Sequence, residues 1–269
     1  DKREEFATYV ARPGVGKSWM LDLAAITASN KGLRTGIYSG EMSKEKVGYR
    51  IDTLRSNISN FAISHVRRDV QNEYKKYVDS IEETPHGPLF IATIKDDFDG
   101  STPTINDFKA FINKYNLDIF LIDQQSLMED INHTKNPVDK AGNIAKEIKL
   151  LQSTCKIPVI TVCQQNRSGE QAFDKSGNRK DTQVEYDVSR IAGSDKVGQY
   201  STIVIFLEYD RNLKVLRLIP AKTRDGSCEP LSYAWDIDKG VYTHIITDMD
   251  SEDCSEMQEE FSEDSEAIF

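Results

Sequence analysis

Apolar residues along most of the chain recur in two alternating patterns. Short apolar runs that end in turn residues are typical of buried β-strands, and longer segments with apolar residues at helical spacing are typical of amphipathic helices. The runs predict strands over 6–10, 35–39, 88–94, 118–123 and 158–163, and helices over 17–30, 60–83, 106–115 and 137–155, with another helix carrying Val47, Ile51 and Leu54. Strands that alternate with helices form mostly parallel sheets.

The pattern changes from Thr202 onward, where one strand-like run follows another. These runs predict strands over 202–207, 213–221, 231–235 and 241–245. Successive strands joined by turns pair antiparallel. The sequence therefore predicts an α/β fold in which helices flank a mostly parallel central sheet, with an antiparallel β extension at the C-terminal end.

The negative charge of the chain is concentrated at its C-terminal end. The formal net charge is −10, and residues 247–269 hold ten acidic residues and no Lys or Arg. Of the 44 acidic residues, the other 34 balance the 34 Lys and Arg, so charge does not exclude nucleic acid as a partner. We predict one domain over 1–246 and a disordered acidic tail over 247–269, because such a segment has little apolar surface to bury.

The cysteines indicate an intracellular protein. Cys155, Cys163, Cys228 and Cys254 form no C-x-x-C pair and have no histidine at zinc-ligand spacing, so we expect reduced thiols and a cytoplasmic location. The sequence contains no signal peptide and no apolar run long enough to cross a bilayer, and we expect no membrane partner. The chain starts without Met shortly before its first predicted strand, from which we expect a fragment of a longer protein.

A phosphate-binding loop is predicted between the first strand and the following helix. It reads Ala-Arg-Pro-Gly-Val-Gly-Lys-Ser over 11–18. Its glycines let backbone N–H groups surround a polyphosphate, Lys17 reaches the terminal phosphates, and Ser18 is a ligand for Mg²⁺. The alternative is a glycine-rich turn, and the strict motif has glycine in place of Ala11. The residues assigned to ATP binding are Arg12, Pro13, Gly14, Val15, Gly16, Lys17, Ser18 and Trp19.

Two carboxylates are candidates for the chemistry of the bound nucleotide. Asp123 ends a buried strand, where a carboxylate holds Mg²⁺ beside a phosphate loop; the alternative is a strand-end cap. Hydrolysis also needs a base, and Gln124 and Gln125 follow Asp123 in place of a carboxylate. Glu41 follows the second strand, which in a doubly wound sheet can lie beside the phosphate loop. We prefer a catalytic Glu41 over a residue that only favours helix entry.

Three more polar residues stand at strand ends. Gln164 is a candidate γ-phosphate sensor, or else an ordinary strand-end residue. Lys222 and Arg224 lie between two predicted strands, which predicts a hairpin tip. This basic pair is either a solvated turn or a set of cationic fingers that reach the nucleotide of a neighbouring subunit.

Five segments, taken in order, resemble one protein family. They are Ala-Arg-Pro-Gly-Val-Gly-Lys-Ser, Tyr-Ser-Gly-Glu-Met-Ser, Ile-Phe-Leu-Ile-Asp, Cys-Gln-Gln-Asn-Arg-Ser and Ala-Lys-Thr-Arg-Asp-Gly. The order is similar to that of the RecA-like motor domain of bacterial and phage DnaB-type replicative helicases. The resemblance covers about residues 4 to 245, and Ala11 is normal at its position in that family.

The resemblance implies a RecA-like P-loop ATPase fold and an ATP-dependent DNA helicase. It implies a homohexamer around single-stranded DNA, with ATP and Mg²⁺ at the subunit interfaces. Glu41 becomes the catalytic base, Asp123 the Mg²⁺ partner, Gln164 the γ-phosphate sensor, and Lys222 and Arg224 fingers supplied in trans. Primase, a helicase loader and single-stranded-DNA-binding protein are the implied replisome partners, in a bacterial cell or a phage-infected host.

DNA contacts are predicted in two segments. Polar residues over 166–182 indicate either a flexible DNA-contacting loop or a merely solvated one, and 189–196 loosely resembles the family's DNA-facing loop. The candidates are Arg167, Lys175, Arg179, Lys180, Arg190 and Gly193. Two other functions stay open: a RecA-like recombinase or regulatory ATPase without unwinding, and a loader or assembly module without turnover.

Overall fold

The computed structural model of the chain describes residues 5–81, 83–166, 186, 188, 191, 195–224, 226 and 228–245. Within these residues the strands join into one nine-stranded sheet. The strands are β1 (Phe6–Ala11), β2 (Thr35–Ser39), β3 (Leu89–Thr93), β4 (Ile119–Asp123), β5 (Val159–Gln164), β6 (Ile203–Asp210), β7 (Val215–Lys222), β8 (Leu231–Asp236) and β9 (Val241–Ile245).

Helices connect the parallel strands and cover both faces of the sheet. They are α1 (Lys17–Asn30), α2 (Lys44–Ser56), α3 (Asn60–Ser64), α4 (Gln71–Ile81), α5 (Ile94–Asp97), α6 (Ile105–Tyr115), α7 (Pro137–Cys155) and α8 (Asp195–Tyr200). Side-chain caps set two of the starts. The Ser43 hydroxyl accepts from the Lys46 amide before α2, and the Asn136 side chain accepts from two amides of the first turn of α7.

The order of the strands confirms the predicted sheet. It runs β3-β2-β4-β5-β1-β6-β7-β8-β9, with parallel pairing from β3 to β6 and antiparallel pairing from β6 to β9. The register places Ser39 opposite Asp123 and Ala11 opposite Gln164. The carboxyl ends of β2, β4, β5 and β1 therefore meet at one edge, where α/β proteins bind ligands.

Alternate residues of the central strands bury against different helices. In β4, Phe120 and Ile122 face a core completed by α6 and α7, and Leu121 faces a core completed by α1 and α2. Phe108 of α6 lies 5.1 Å from Phe120, ring centroid to centroid, in an edge-on arrangement. Both faces of β4 are thus apolar, as expected for a central parallel strand.

The structure differs from the sequence patterns in two details. The second strand, which in a doubly wound sheet can lie beside the phosphate loop, is separated from β1 by β4 and β5, since these apolar strands take the buried centre of the sheet. The helix predicted over 60–83 is broken into α3 and α4 with a 3₁₀ turn between them. Val66 interrupts it with φ +51°, and the Arg67 amide donates back to Ala62, which closes α3.

Lys222 is the last residue of β7, opposite Val204 of β6, and the hairpin connection begins only after it. Its Nζ donates to the carbonyl oxygens of Gly198 (2.9 Å), Gln199 (3.1 Å) and Ser201 (2.7 Å). These carbonyls lie at the end of α8, where a helix exposes unpaired acceptors. Lys222 was predicted at the hairpin tip; in the structure it ties β7 to α8 because a lysine amine can satisfy all three acceptors.

We expect Lys222→Met to destabilise the chain by about 1–2 kcal/mol, because it removes a charged donor from three carbonyls. Urea unfolding of the nucleotide-free chain would measure this change. Arg224→Met is the matched control, since Arg224 is exposed. Equal stability of the two variants would show that the Lys222 contacts contribute nothing.

Candidate nucleotide-binding site

The predicted phosphate loop lies between the end of β1 and the start of α1. Gly14 and Gly16 have φ of +78° and +97°, a left-handed conformation that other residues rarely adopt. The Val15 amide donates to the Arg12 carbonyl at 3.4 Å, and the Met20 amide donates to the Gly16 carbonyl at 3.1 Å as α1 begins. The loop therefore turns sharply into the N-terminus of a helix, the geometry that binds phosphate.

The indole of Trp235, from the end of β8, packs directly against Gly16. A Cβ at Gly16 would overlap this ring, so glycine is required by close packing as well as by φ. Trp235 is 2% exposed and stacks on Tyr242 with centroids 5.3 Å apart. The antiparallel extension thus supports the loop from behind, a contact that the strand-like pattern around Trp235 does not reveal.

Arg211 brings a positive charge to the outer side of the loop. It lies in the turn between β6 and β7, and its guanidinium Nη2 is 3.6 Å from the position that a Cβ of Gly14 would take. Sequence reasoning missed Arg211, because a charged residue in a hairpin turn is ordinarily solvated. The strand order places Arg211 beside the loop, because β6 is hydrogen-bonded to β1 and ends near the loop.

Lys17, at the first position of α1, folds back over the loop. Its Nζ donates to the Arg12 carbonyl at 3.3 Å. Burial lowers the pKa of Lys17, and the charges of Asp123, Glu41 and Cys163 oppose that shift. The amine therefore lies within electrostatic reach of both proposed carboxylates.

Asp123 and Ser18 lie together at the end of β4. Asp123 is 5% exposed, and its carboxylate accepts a hydrogen bond from the Ser18 hydroxyl. Burial raises the pKa of Asp123; Ser18, Arg50 and Lys17 oppose this shift, and Glu41 adds to it. The two oxygen groups are hard donors of the type that Mg²⁺ prefers, so this pair fits the predicted metal site.

Glu41 reaches the same edge, although β2 is not adjacent to β1. It lies two residues beyond β2, is exposed, and accepts a hydrogen bond from Gln124 Nε2 at 2.8 Å. Sequence reasoning passed over Gln124 because it is not a carboxylate. The structure thus brings Lys17, Ser18, Asp123 and Glu41 together.

Gln164 stands at the end of β5, exposed and opposite Ala11. The next residue, Gln165, donates its amide to the Ala11 carbonyl at 3.0 Å, so β5 follows the chain into the phosphate loop. On its other side Gln164 borders a cavity of about 780 Å³ between the β4–α7 connection and α7. Gln164 is therefore placed between the phosphate loop and this cavity.

A cation that the sequence did not indicate fixes α2 against α1. The Arg50 guanidinium lies 5.2 Å from the ring centroid of Trp19 and 3.8 Å from the Asp22 carboxylate. Burial raises the pKa of Asp22 to about 8, and Arg50 opposes that shift. Trp19, predicted to contact ATP, is 7% exposed and serves this packing.

Lys222 and Arg224 are not brought to the phosphate loop of their own chain. β7 runs antiparallel to β6 and ends at Lys222, opposite Val204, which pairs with Thr8 of β1. Three residues of strand, about 10 Å, therefore separate the level of Lys222 from Ala11 along the strand direction. The chain leaves β7 in the direction away from Ala11, so Arg224 follows on the side of the sheet away from its own phosphate loop.

The six predicted DNA-contacting residues, from Arg167 to Gly193, lie outside the described residues, as does the acidic tail over 247–269. In the part that is described, no helix has the length and apolar character needed to span a bilayer.

Relatives of the chain are replicative helicases. The chain is 26% identical over 240 residues to replicative DNA helicase DnaB of Geobacillus stearothermophilus, covering 84% of this chain and 49% of that protein. It is 25% identical over 249 residues to replicative DNA helicase DnaC of Bacillus subtilis (strain 168), covering 87% and 51%. The chain therefore spans about half the length of these relatives.

Solved structures share the fold. A structure described as the ATPase domain of G40P superposes with a TM-score of 0.76 at 19% identity, over 91% of this chain and 86% of that one. A DnaB-like replicative helicase, studied for its interactions with primase, gives a TM-score of 0.76 at 20% identity, over 91% and 58%.

A family model described as the DnaB-like helicase C terminal domain matches residues 2–243, nearly the whole chain. Together with the strand order, the phosphate loop and the relatives, this match shows that the chain belongs to the family of DnaB-like helicase C-terminal domains.

Proposed function

We propose that this domain binds ATP with Mg²⁺ and hydrolyses it at an interface between identical subunits, as the motor of a replicative DNA helicase that moves on single-stranded DNA and unwinds duplex. The observation that carries the proposal is the convergence of Lys17, Ser18, Asp123 and Glu41 at one edge of the sheet. A glycine-rich turn without nucleotide would not require an amine and two carboxylates around it.

Each group has a role that its position supports. Backbone amides of the loop and Lys17 bind the phosphates, and Arg211 supplies a further positive charge beside Gly14. Ser18 and Asp123 hold Mg²⁺, which when bound neutralises phosphate charge. Glu41 accepts the proton of the attacking water, and Gln164 senses the γ-phosphate from the adjacent strand end.

Arg224 completes the site of a neighbouring subunit in this proposal. It is exposed and lies at the sheet edge away from its own phosphate loop, which favours action in trans. Cationic fingers stabilise the negative charge of the phosphoryl transition state. Lys222 could join it only if its ammonium left the three carbonyls at the end of α8.

The same proposal extends to the assembly, the DNA contacts and the partners of the whole protein. We propose a homohexamer in the cytoplasm, contacting single-stranded DNA through the segments 166–182 and 189–196. Primase, a loader and single-stranded-DNA-binding protein are proposed partners. A forked-duplex assay separates this motor from a recombinase or regulatory ATPase, and DNA-stimulated phosphate release separates it from a loader or assembly module without turnover.

Lys17→Ala should abolish ATP turnover without loss of fold, because the amine binds phosphate and is not part of the core. Phosphate release and a thermal melt would measure the two properties. Lys31→Ala, an exposed lysine at the other end of α1, is the matched control. Turnover retained in Lys17→Ala would remove the site assignment.

Glu41→Gln should keep ATP binding and slow hydrolysis roughly a hundredfold or more, as expected when a general base is lost. Equilibrium binding and single-turnover hydrolysis would separate the two steps. Glu73→Gln, an exposed glutamate on α4, should behave as the unaltered chain. Unchanged hydrolysis in Glu41→Gln would assign the base to another group.

Arg224→Ala should abolish hydrolysis in the assembled protein, and mixing it with Glu41→Gln subunits should restore part of the activity. A mixed interface pairs an intact Glu41 site with an intact Arg224, which neither variant can provide alone. Titration of one variant into the other, followed by phosphate release, is the measurement. Absence of recovery at every ratio would exclude a trans role.

A further inference from the structure

We infer that Gln124 is a positioning residue that holds the Glu41 carboxylate in the orientation for proton transfer. The inference rests on the proposed function, since it assigns Gln124 a task only if Glu41 is the base. Gln124 acts through the 2.8 Å hydrogen bond from its Nε2 to Glu41 Oε1.

The pairing of β2 with β4 creates this contact. Ser39 lies opposite Asp123 in the parallel ladder, and the Gly40 amide then donates to the Asp123 carbonyl at 2.7 Å. One step further the backbones separate, and the Gln124 side chain bridges to Glu41. The side-chain hydrogen bond from Gln124 to Glu41 thus continues the pairing of β2 with β4 one residue beyond the backbone hydrogen bonds.

The two partners differ in burial. Gln124 is 6% exposed, and its carbonyl accepts from the Leu127 amide at 3.0 Å as the chain enters a 3₁₀ turn. Glu41 is exposed, on the short connection between β2 and α2. An exposed glutamate samples many rotamers, and a bond to a buried donor restricts them before the reaction.

The chemistry of the donor suits a general base. A neutral amide orients a carboxylate without adding a positive charge, whereas a Lys or Arg at this position would favour the ionised form and weaken the base. The bond uses Oε1, which leaves Oε2 to accept the proton of water. Lys17 and Asp123, the charged groups that interact with Glu41 across the site, act from the phosphate side.

Gln124→Leu tests the inference, because leucine keeps much of the volume and removes the donor. In the full chain under conditions of DNA-stimulated turnover, we expect kcat to fall roughly 10- to 100-fold, the range seen when an orienting partner is lost. KM for ATP should change by less than about twofold, because the phosphate contacts stay in place. Gln152→Leu, a buried glutamine on α7 near the opposite edge, controls for the loss of a buried amide.

Gln124→Leu in the Glu41→Gln background gives a second readout that a structural role would not move. If Gln124 acts only through the Glu41 carboxylate, adding Gln124→Leu to Glu41→Gln should change the residual rate of single-turnover hydrolysis by less than about twofold. The phosphate loop is unaltered, so binding of an ATP analogue should persist and show that the double variant folds.

The outcomes separate this inference from the proposed function. If Glu41→Gln retains full hydrolysis, the base assignment fails and the role of Gln124 fails with it. Suppose that Glu41→Gln is inactive. If the decrease in kcat caused by Gln124→Leu is then absent, or no larger than the decrease caused by Gln152→Leu, only the positioning role is overturned. A further loss of hydrolysis in the double variant, as large as the loss that Gln124→Leu causes alone, overturns it as well.

Discussion

Parallel pairing of β2, β4, β5 and β1 is the constraint on which the proposed nucleotide site depends. Parallel strands start at one edge of a sheet and end at the other, so the residues that follow them come together however far apart they are in sequence. Asp123 and Gln164 end strands at this edge, and the phosphate loop follows one. Glu41 joins them from β2, with β4 and β5 between β2 and β1.

The same edge concentrates charge that the fold must compensate. Burial alone would favour the neutral forms of both Asp123 and Lys17, and each group opposes that effect on the other. The Ser18 hydroxyl and Arg50 give Asp123 further compensation. A buried charge without partners is strongly unfavourable. Because Lys17 and Asp123 stabilise each other's charged form, both can be accommodated beside the loop.

The antiparallel extension contributes residues at both ends of the central strands. At the phosphate-loop edge, the end of β8 places Trp235 behind Gly16, and the turn between β6 and β7 places Arg211 beside Gly14. Its connection at the far edge carries Arg224, with Lys222 anchored to the end of α8. One chain therefore presents a phosphate loop at one edge and a cation at the other, as the site that we propose to be shared between copies requires.

The sequence by itself determined most of the elements and the residues that we propose for the site. Helical and strand periodicity gave the order of most helices and strands, because burial of one face imposes that spacing. The phosphate loop could be recognised locally, since its function resides in consecutive backbone amides and the two residues after them. Asp123 was recognisable for a similar reason, as a carboxylate at the end of an apolar strand.

Only the tertiary structure decided which distant groups meet. The contacts Trp235–Gly16, Arg50–Trp19 and Gln124–Glu41 depend on strand order and register, which no local spacing encodes. The anchoring of Lys222 likewise depends on carbonyls at the end of α8 that are distant in sequence and meet the amine only when β7 has packed. Local patterns report which face of an element is buried; the partner on that face is fixed only when the elements assemble.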